Sequence, residues 1–179
     1  MVRSESAATR TALSIVDWQV KLSNLLLSSS NHKIVFVGVG HPLRGDDYVG
    51  SYVVKELIKR VECRSINVEF LDAEDSVESV ITKAYQARPK HIIFIDSCEM
   101  NVQPGEVRLI SVSETDYPFF TTHGIPLKLL SERLLPQSEA WVLAVQPKQV
   151  EFSEKMSPEV SEAGISVSQF ILEKLSEGD

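Results

Sequence analysis

Residues 34–50, with the sequence IVFVGVGHPLRGDDYVG, decide the fold of this 179-residue chain. The segment opens with four uncharged β-branched or aromatic residues, which is typical of a strand buried on both faces. Two glycines end the strand and a proline-containing loop follows, before apolar residues recur at helical spacing. Asp46 and Asp47 lie where the helix begins. Because open α/β sheets bind ligands beyond the carboxyl ends of their strands, this acidic pair is expected at the site of chemistry.

The composition predicts one globular domain over residues 1–179, with residues 1–30 as an N-terminal helical extension. Hydrophobic residues make up 43% of the chain, which is enough for a substantial core. The net charge of −7 argues against nucleic acid as a partner, since such proteins present a basic face. No apolar run reaches the roughly 18 residues of a membrane span. With no secretory signal and only Cys63 and Cys98, which we expect to be reduced, the chain is predicted to be cytoplasmic.

The N-terminal extension is predicted to be an amphipathic helix over residues 8–27. Its apolar stripe is expected to pack on the body of the domain, although a partner-binding helix is the alternative. The predicted stripe comprises Leu13, Val16, Val20 and Leu27, widened by Trp18, Leu22, Leu25 and Leu26.

Strands and helices then alternate to the end of the chain, with one pair of strands in direct succession. This order predicts a three-layer α/β/α sandwich around a five-stranded, mostly parallel sheet with one antiparallel strand. After the strand–loop–helix unit, the predicted elements are a strand over 66–71 ending on Asp72, a helix over 77–87 capped by Asp75 or Ser76, a strand over 91–95 stopping on Asp96, the antiparallel strand over 107–112, a helix over 126–134, a strand over 141–145 and a final helix opened by Ser157 and Pro158.

Acidic side chains and one histidine are expected to meet at the carboxyl ends of these strands. Asp46, Asp47, Asp72 and Asp96 follow the first three strands, and His123 lies in a later loop. Each aspartate alone is more often a helix cap or turn former. Together, two or three carboxylates and one imidazole make a plausible oxygen and nitrogen metal site, without identifying the metal.

Several better-known site motifs are absent. The glycine-rich loop fails the Gly-x-Gly-x-x-Gly spacing, because Leu43 stands where the third glycine belongs, and its acidic pair would repel a pyrophosphate. The chain also lacks a Gly-Lys-Ser/Thr phosphate loop, a His-Glu-x-x-His pair and a Gly-x-Ser-x-Gly elbow.

Five blocks in order resemble the hydrogenase maturation endopeptidases of nickel–iron (NiFe) hydrogenases, and above all the formate-hydrogenlyase-type group. The blocks are GVGHPLRGDDYVG, FLDAED, IIFIDSCEMNVQPGEVRLI, FFTTHGIPLKLL and LAVQP. The resemblance runs from about residue 33 to the final helix. It implies a five-stranded α/β sandwich, in agreement with the fold predicted above.

The resemblance also implies the site residues. By position, Asp47, Asp96 and His123 match the family's nickel ligands and are expected to be its catalytic residues. Asp46 would then cap the helix or hold the loop. Asp72 matches an acidic position assigned to substrate contact or loop support. His41, also expected to contact substrate, replaces the usual Asn, most simply as another hydrogen-bonding residue, with an added metal ligand or a perturbed site as the alternatives. Tyr48 stands where the family commonly has a small residue, which bears on the precursor recognised.

The resulting hypothesis is a nickel-recognising, aspartic-type endopeptidase that removes the C-terminal extension of a NiFe hydrogenase large-subunit precursor after nickel insertion. The nickel is carried by the substrate, and other divalent metals are expected to occupy the site in isolation. The alternatives are a non-catalytic nickel-binding chaperone of hydrogenase maturation and a nucleotide-binding regulatory domain. We expect a monomer, because no heptad or apolar surface stripe demands a partner.

Overall fold

The computed structural model describes residues 7–29, 32–61, 67–113, 121–122, 125–126 and 137–177. Its main sheet has five strands in the order β2-β1-β3-β7-β4, in which only β4 runs antiparallel to its neighbour. The predicted fold class is therefore confirmed. The strands are β1 (Ile34–Val39), β2 (Val68–Glu74), β3 (His91–Ser97), β4 (Val107–Ser111), β5 (Thr121–Thr122), β6 (Ile125–Pro126) and β7 (Glu139–Val145), and the helices are α1 (Ala7–Ser28), α2 (Val49–Arg60), α3 (Val77–Ala87) and α4 (Pro158–Ser176).

Helices cover both faces of the sheet, because strand side chains alternate between the two faces. On one face, Val35, Val37, Ile92 and Phe94 pack with the buried residues of α3. On the other face, Phe36, Ile93, Ile95 and Leu143 pack with α1, α2 and α4. Every residue of β1 is buried. The central strands are thus apolar on both faces, as the uninterrupted run in the sequence predicted.

The N-terminal helix packs on the body of the protein, as predicted, but two residues of the predicted stripe lie outside the packed face. Trp18 and Leu22 are buried, and the Trp18 ring meets Phe170 of α4 edge-on at 5.1 Å between centroids. Val20 and Leu27, which we had placed in the stripe, are 52% and 75% exposed. The buried face runs from Trp18 through Leu22, one helical turn apart, and Val20 points away from it.

Two strand ends differ slightly from the prediction. β2 continues past Asp72 to Glu74, since Gly38 still pairs with Asp72 and Val39 pairs with Glu74 across an irregular register. β3 likewise includes Asp96 and Ser97, whose Cα partners are Ala144 and Val145 of β7. Residue 66, where we began the second strand, lies outside the described residues.

The helix predicted from residue 126 is wrong at its first residue. Pro126 pairs antiparallel with Thr121, and Ile125 with Thr122, so the proline belongs to a small two-stranded ladder. Proline suits a first helical turn, but it also suits the edge of so short a ladder. Residues 127–134 lie outside the described part of the chain.

Among the described residues, we find no helix that combines the length and apolar character needed to cross a bilayer.

Candidate active site

Glycines allow the start of α2 to approach the ends of β1 and β3 closely, because they carry no Cβ. A Cβ on Gly50 would lie 1.9 Å from the carbonyl oxygen of Ile95 and 2.4 Å from that of Val39. Gly40 has a φ of +133°, and a Cβ there would lie 1.7 Å from the carbonyl oxygen of Asp47. Only glycine fits such approaches. These contacts hold the short 3₁₀ helix Gly45–Tyr48, with its acidic pair, directly over the carboxyl edge of the sheet.

Asp46 is a buried anchor for a distant loop. Its carboxylate accepts hydrogen bonds from the backbone N–H groups of Lys148 (2.8 Å), Gln149 (2.9 Å) and Ser157 (2.5 Å). The Ser157 hydroxyl donates a fourth, at 2.8 Å. Burial works to raise the pKa of Asp46, but these bonds outweigh it and lower the pKa. Asp46 therefore holds a loop, the second of its two expected roles, and caps no helix through its side chain.

Asp47 and Asp96 face a common space at the ends of β1 and β3, which are adjacent parallel strands. Asp47 is partly exposed and accepts a hydrogen bond from the His41 backbone N–H at 3.2 Å. Asp96 is buried, and its pKa is raised to about 8 by burial and by the charge of Asp47, against a hydrogen bond from the Ser97 backbone. The two carboxylates therefore repel each other, which is the usual setting for a shared proton or a shared cation.

The third predicted ligand, His123, lies outside the described residues. Within the described ranges, no group of three His, Cys, Asp or Glu residues is placed to hold a metal ion. The structure thus brings together two of the three predicted residues, Asp47 and Asp96.

Asp72, predicted to contact substrate or support a loop, takes part in a local ion-pair network. Its carboxylate lies 3.1 Å from Lys55 Nζ, which also lies 3.2 Å from Glu74. Burial opposes the charge of Lys55, but the two carboxylates outweigh it and raise its pKa. Asp72 also accepts the Glu74 backbone N–H at 3.3 Å, where Glu74 has a positive φ of 49°. Its observed contacts are those of loop support.

His41 acts within its own loop. Its Nδ1 accepts a hydrogen bond from the backbone N–H of Leu43, two residues on, at 3.2 Å. An Asn side chain commonly makes this i to i+2 contact in an Asx-turn. The imidazole can therefore replace the Asn expected from the resemblance without disturbing the loop, while its backbone N–H orients Asp47.

Two residues of this region were missed from the sequence, Gln146 and Ser157. Gln146 is buried, accepts the N–H groups of Met100 (2.7 Å) and Val102 (3.4 Å), and donates to Glu99 at 2.9 Å. It thereby holds the loop that follows Asp96. The available signal was a polar residue ending an apolar strand, in LAVQP. The sequence predicts Ser157 only as the start of a helix, and nothing local marks Asp46 as its partner.

Cys98 is not a nucleophile in this state. The thiol is buried, and burial together with the charges of Asp96 and Asp47 raises its pKa well above the ordinary value. This environment is typical of a structural, unreactive thiol.

Comparisons with known proteins agree with this architecture. A family model described as hydrogenase maturation protease matches residues 51–174. A Methanocaldococcus jannaschii protein assigned as a hydrogenase maturation protease is 33% identical over 152 residues, covering 81% of this chain and 89% of that protein. The hydrogenase 3 maturation protease of Escherichia coli K12 is 28% identical over 137 residues, covering 75% and 86%.

A solved structure extends the likeness to three dimensions. The NiFe hydrogenase maturation protease HycI from Thermococcus kodakarensis KOD1 superposes with a TM-score of 0.78 at 25% identity, covering 87% of this chain and 99% of that one. The crystal structure of a hydrogenase 3 maturation protease gives a TM-score of 0.67 at 26% identity, covering 79% and 90%. The chain we describe therefore belongs to the hydrogenase maturation protease family.

Proposed function

We propose that this protein is an endopeptidase that removes the C-terminal extension of a NiFe hydrogenase large-subunit precursor after nickel has been inserted. Family membership supports the class of substrate. The observation that carries the proposal is the Asp47–Asp96 pair, in which a buried carboxylate is held beside a second, partly exposed one at the carboxyl edge of the sheet. Such a pair is costly to keep without a cation or a proton to share.

In this proposal the substrate's own nickel is the recognition signal. Two carboxylates and the imidazole of His123 would make a hard, open donor set, which would not compete for a metal held by the precursor's thiolates. The set can instead complete the coordination of that metal. A precursor without nickel would offer nothing to bind and would be ignored.

The charge state of the pair links nickel to catalysis. The pKa of Asp96 is raised to about 8 by burial and by Asp47, so the free site favours the protonated form of Asp96 at neutral pH. A cation bound beside Asp96 would favour its ionised form. The loaded precursor would therefore generate the ionised carboxylate that the reaction needs as a base.

Water is the nucleophile in the mechanism we propose. Nickel polarises the scissile carbonyl or the water, and the ionised carboxylate takes a proton from that water as it adds to the carbonyl carbon. The carbon–nitrogen bond then breaks, and the proton passes to the leaving amine. An acyl-enzyme on Cys98 is disfavoured, because its buried thiol has a raised pKa.

The test is a cleavage assay with nickel-loaded and nickel-free precursor, comparing wild type with Asp47→Ala, Asp96→Ala and His123→Ala. We expect only loaded precursor to be shortened, and each substitution to lower the rate by at least about 100-fold, as loss of a catalytic acid–base group does. Asp75→Ala and His32→Ala are matched controls, since both residues are exposed, and should retain the wild-type rate.

Two outcomes contradict the proposal. Equal cleavage of nickel-free precursor would remove nickel as the recognition signal. Tight binding of loaded precursor without cleavage would indicate the chaperone alternative.

A further inference from the structure

We propose that Tyr48 is a specificity-determining residue, a fixed aromatic wall of the cleft that selects precursors with a small side chain beside the scissile bond. The inference rests on the proposed function and deepens it. Tyr48 follows Asp47 directly and is the last residue of the 3₁₀ helix. It is only partly buried, so part of its ring remains available to a bound peptide.

A lysine, Lys55, contacts the Tyr48 ring from one side and restricts its movement. Lys55 Nζ lies 5.3 Å from the centroid of the Tyr48 ring, within the range of a cation–π contact. The ammonium group is itself held by Asp72 at 3.1 Å and Glu74 at 3.2 Å. Because both carboxylates belong to the end of β2, the ring is tied to the main sheet.

A second aromatic ring supports Tyr48. The Tyr52 ring meets it edge-on, with centroids 6.3 Å apart and planes inclined by 63°. Tyr52 in turn packs closely on α4, since a Cβ on Gly164 would lie 3.1 Å from its Cδ1 atom. The two neighbours of Tyr48 are therefore held by β2 and by α4. A ring supported in this way is not expected to move aside for a bulky substrate side chain.

The position of this wall relative to the carboxylates explains what it would select. Asp96 comes from β3 on one side of β1, whereas the network around Lys55 comes from β2 on the other side. In this proposal, a peptide bound at Asp47 and Asp96 continues towards β2 and passes the ring. A size limit at one subsite discriminates by about 10–200-fold for each methylene-sized difference.

The experiment compares two nickel-loaded precursors that carry either Ala or Trp at the residue beside the cut bond, made in turn for each side of that bond. We expect wild type to favour Ala over Trp in kcat/KM by at least about 10-fold on one side. Tyr48→Ala should reduce that ratio to within about threefold, because the wall is removed.

Two further variants separate the wall from a general structural role. Tyr48→Phe keeps the ring and should keep the wild-type ratio. Lys55→Met removes the cation that pins the ring and should give an intermediate ratio, with thermal unfolding confirming that every variant is folded. An equal loss of kcat/KM on both precursors in Tyr48→Ala would overturn the inference, as would a wild type that does not discriminate.

The same ratio is measured for binding, by calorimetry of each precursor with wild type and Tyr48→Ala. If wild type binds the Ala form more tightly and Tyr48→Ala does not, the size limit stands even where no cleavage occurs, and only the proposed activity fails. If cleavage occurs and neither ratio changes, the proposed function stands and the wall does not.

Discussion

Two buried carboxylates near the carboxyl edge of the sheet, Asp46 and Asp96, lie in opposite environments. Asp46 faces the loop between β7 and α4, where four hydrogen-bond donors surround its carboxylate and lower its pKa. On the side of the cleft, Asp96 is buried beside Asp47, and its pKa is raised to about 8. Burial works to raise the pKa of both groups, so the difference comes from the donors around Asp46 and from the charge of Asp47 beside Asp96. One carboxylate is thereby committed to structure and the other remains free for chemistry.

The largest expected effect comes from removing the carboxylate of Asp46 and comparing the result with removal of its neighbour, Asp47. Asp46→Ala leaves the part-buried N–H groups of Lys148 and Gln149 and the buried N–H of Ser157 without their acceptor, and a buried unsatisfied group costs about 1–3 kcal/mol. We therefore expect the free energy of unfolding, measured by chemical denaturation, to fall by at least about 3 kcal/mol. Asp47→Ala is the matched control and should change it by less than about 1 kcal/mol, because Asp47 is partly exposed. Similar losses in both variants would remove the distinction between anchor and cleft.

The next effect tests the close contact between the start of α2 and the ends of β1 and β3. Gly50→Ala forces a methyl group against backbone carbonyl groups of β1 and β3, which cannot retreat, and should cost about 2–3 kcal/mol. Gly164→Ala, also in a helix, meets the ring of Tyr52 at 3.1 Å and should cost less. Thermal unfolding of the two variants gives the comparison. A larger loss of stability in Gly164→Ala than in Gly50→Ala would mean that contact with the sheet is not the reason why residue 50 must be glycine.

The smallest effect, taken per pH unit, is the pH dependence of stability. Because the pKa of Asp96 is raised when the protein is folded, its contribution is fully present below the unfolded value of 3.8 and is lost as pH rises towards about 8. Asp96→Asn should therefore remove a decline of at most about 1.4 kcal/mol per pH unit in the free energy of unfolding over this range, measured without nickel.

Asp46 has the opposite sign, which supplies the control for that measurement. Its pKa is lowered in the folded protein, so its contribution is present above the unfolded value of 3.8 and is lost as pH falls through the lower folded pKa. Asp46→Asn should change stability in acid and leave the slope between pH 4 and 8 as it is in wild type. If Asp96→Asn also leaves that slope unchanged, the pKa of Asp96 is not raised in the folded protein, which contradicts the environment described for the cleft.

The sequence was informative wherever neighbouring residues alone set the structure. The apolar run before Gly38 predicted a strand buried on both faces, and the spacing after Asp47 predicted α2. Antiparallel pairing of β4 followed from its short connection. The position of Asp96 at the end of a strand was likewise visible, because parallel strands deliver their carboxyl ends to one edge.

Sequence reasoning failed where a contact joins distant parts of the chain. Val20 and Leu27 carry apolar side chains at helical spacing, yet they are exposed because the packed face of α1 is the one that meets the sheet and α4. Pro126 fits a helix start equally well, and only pairing with Thr121 made it a strand residue. In the first case one helix carries apolar residues on more than one face, and in the second a proline suits two local conformations.

What the sequence by itself determined is the layered α/β architecture and the delivery of Asp47 and Asp96 to one edge, since hydrophobic periodicity and chain direction are local properties. Only the tertiary structure decided which carboxylate is an anchor and which belongs to the cleft. Asp46 and Asp47 are adjacent and chemically identical, and they differ through donors more than 100 residues away for Asp46 and through Asp96 for Asp47. A carboxylate's role depends on the donors and charges around it, and those are brought together only by folding.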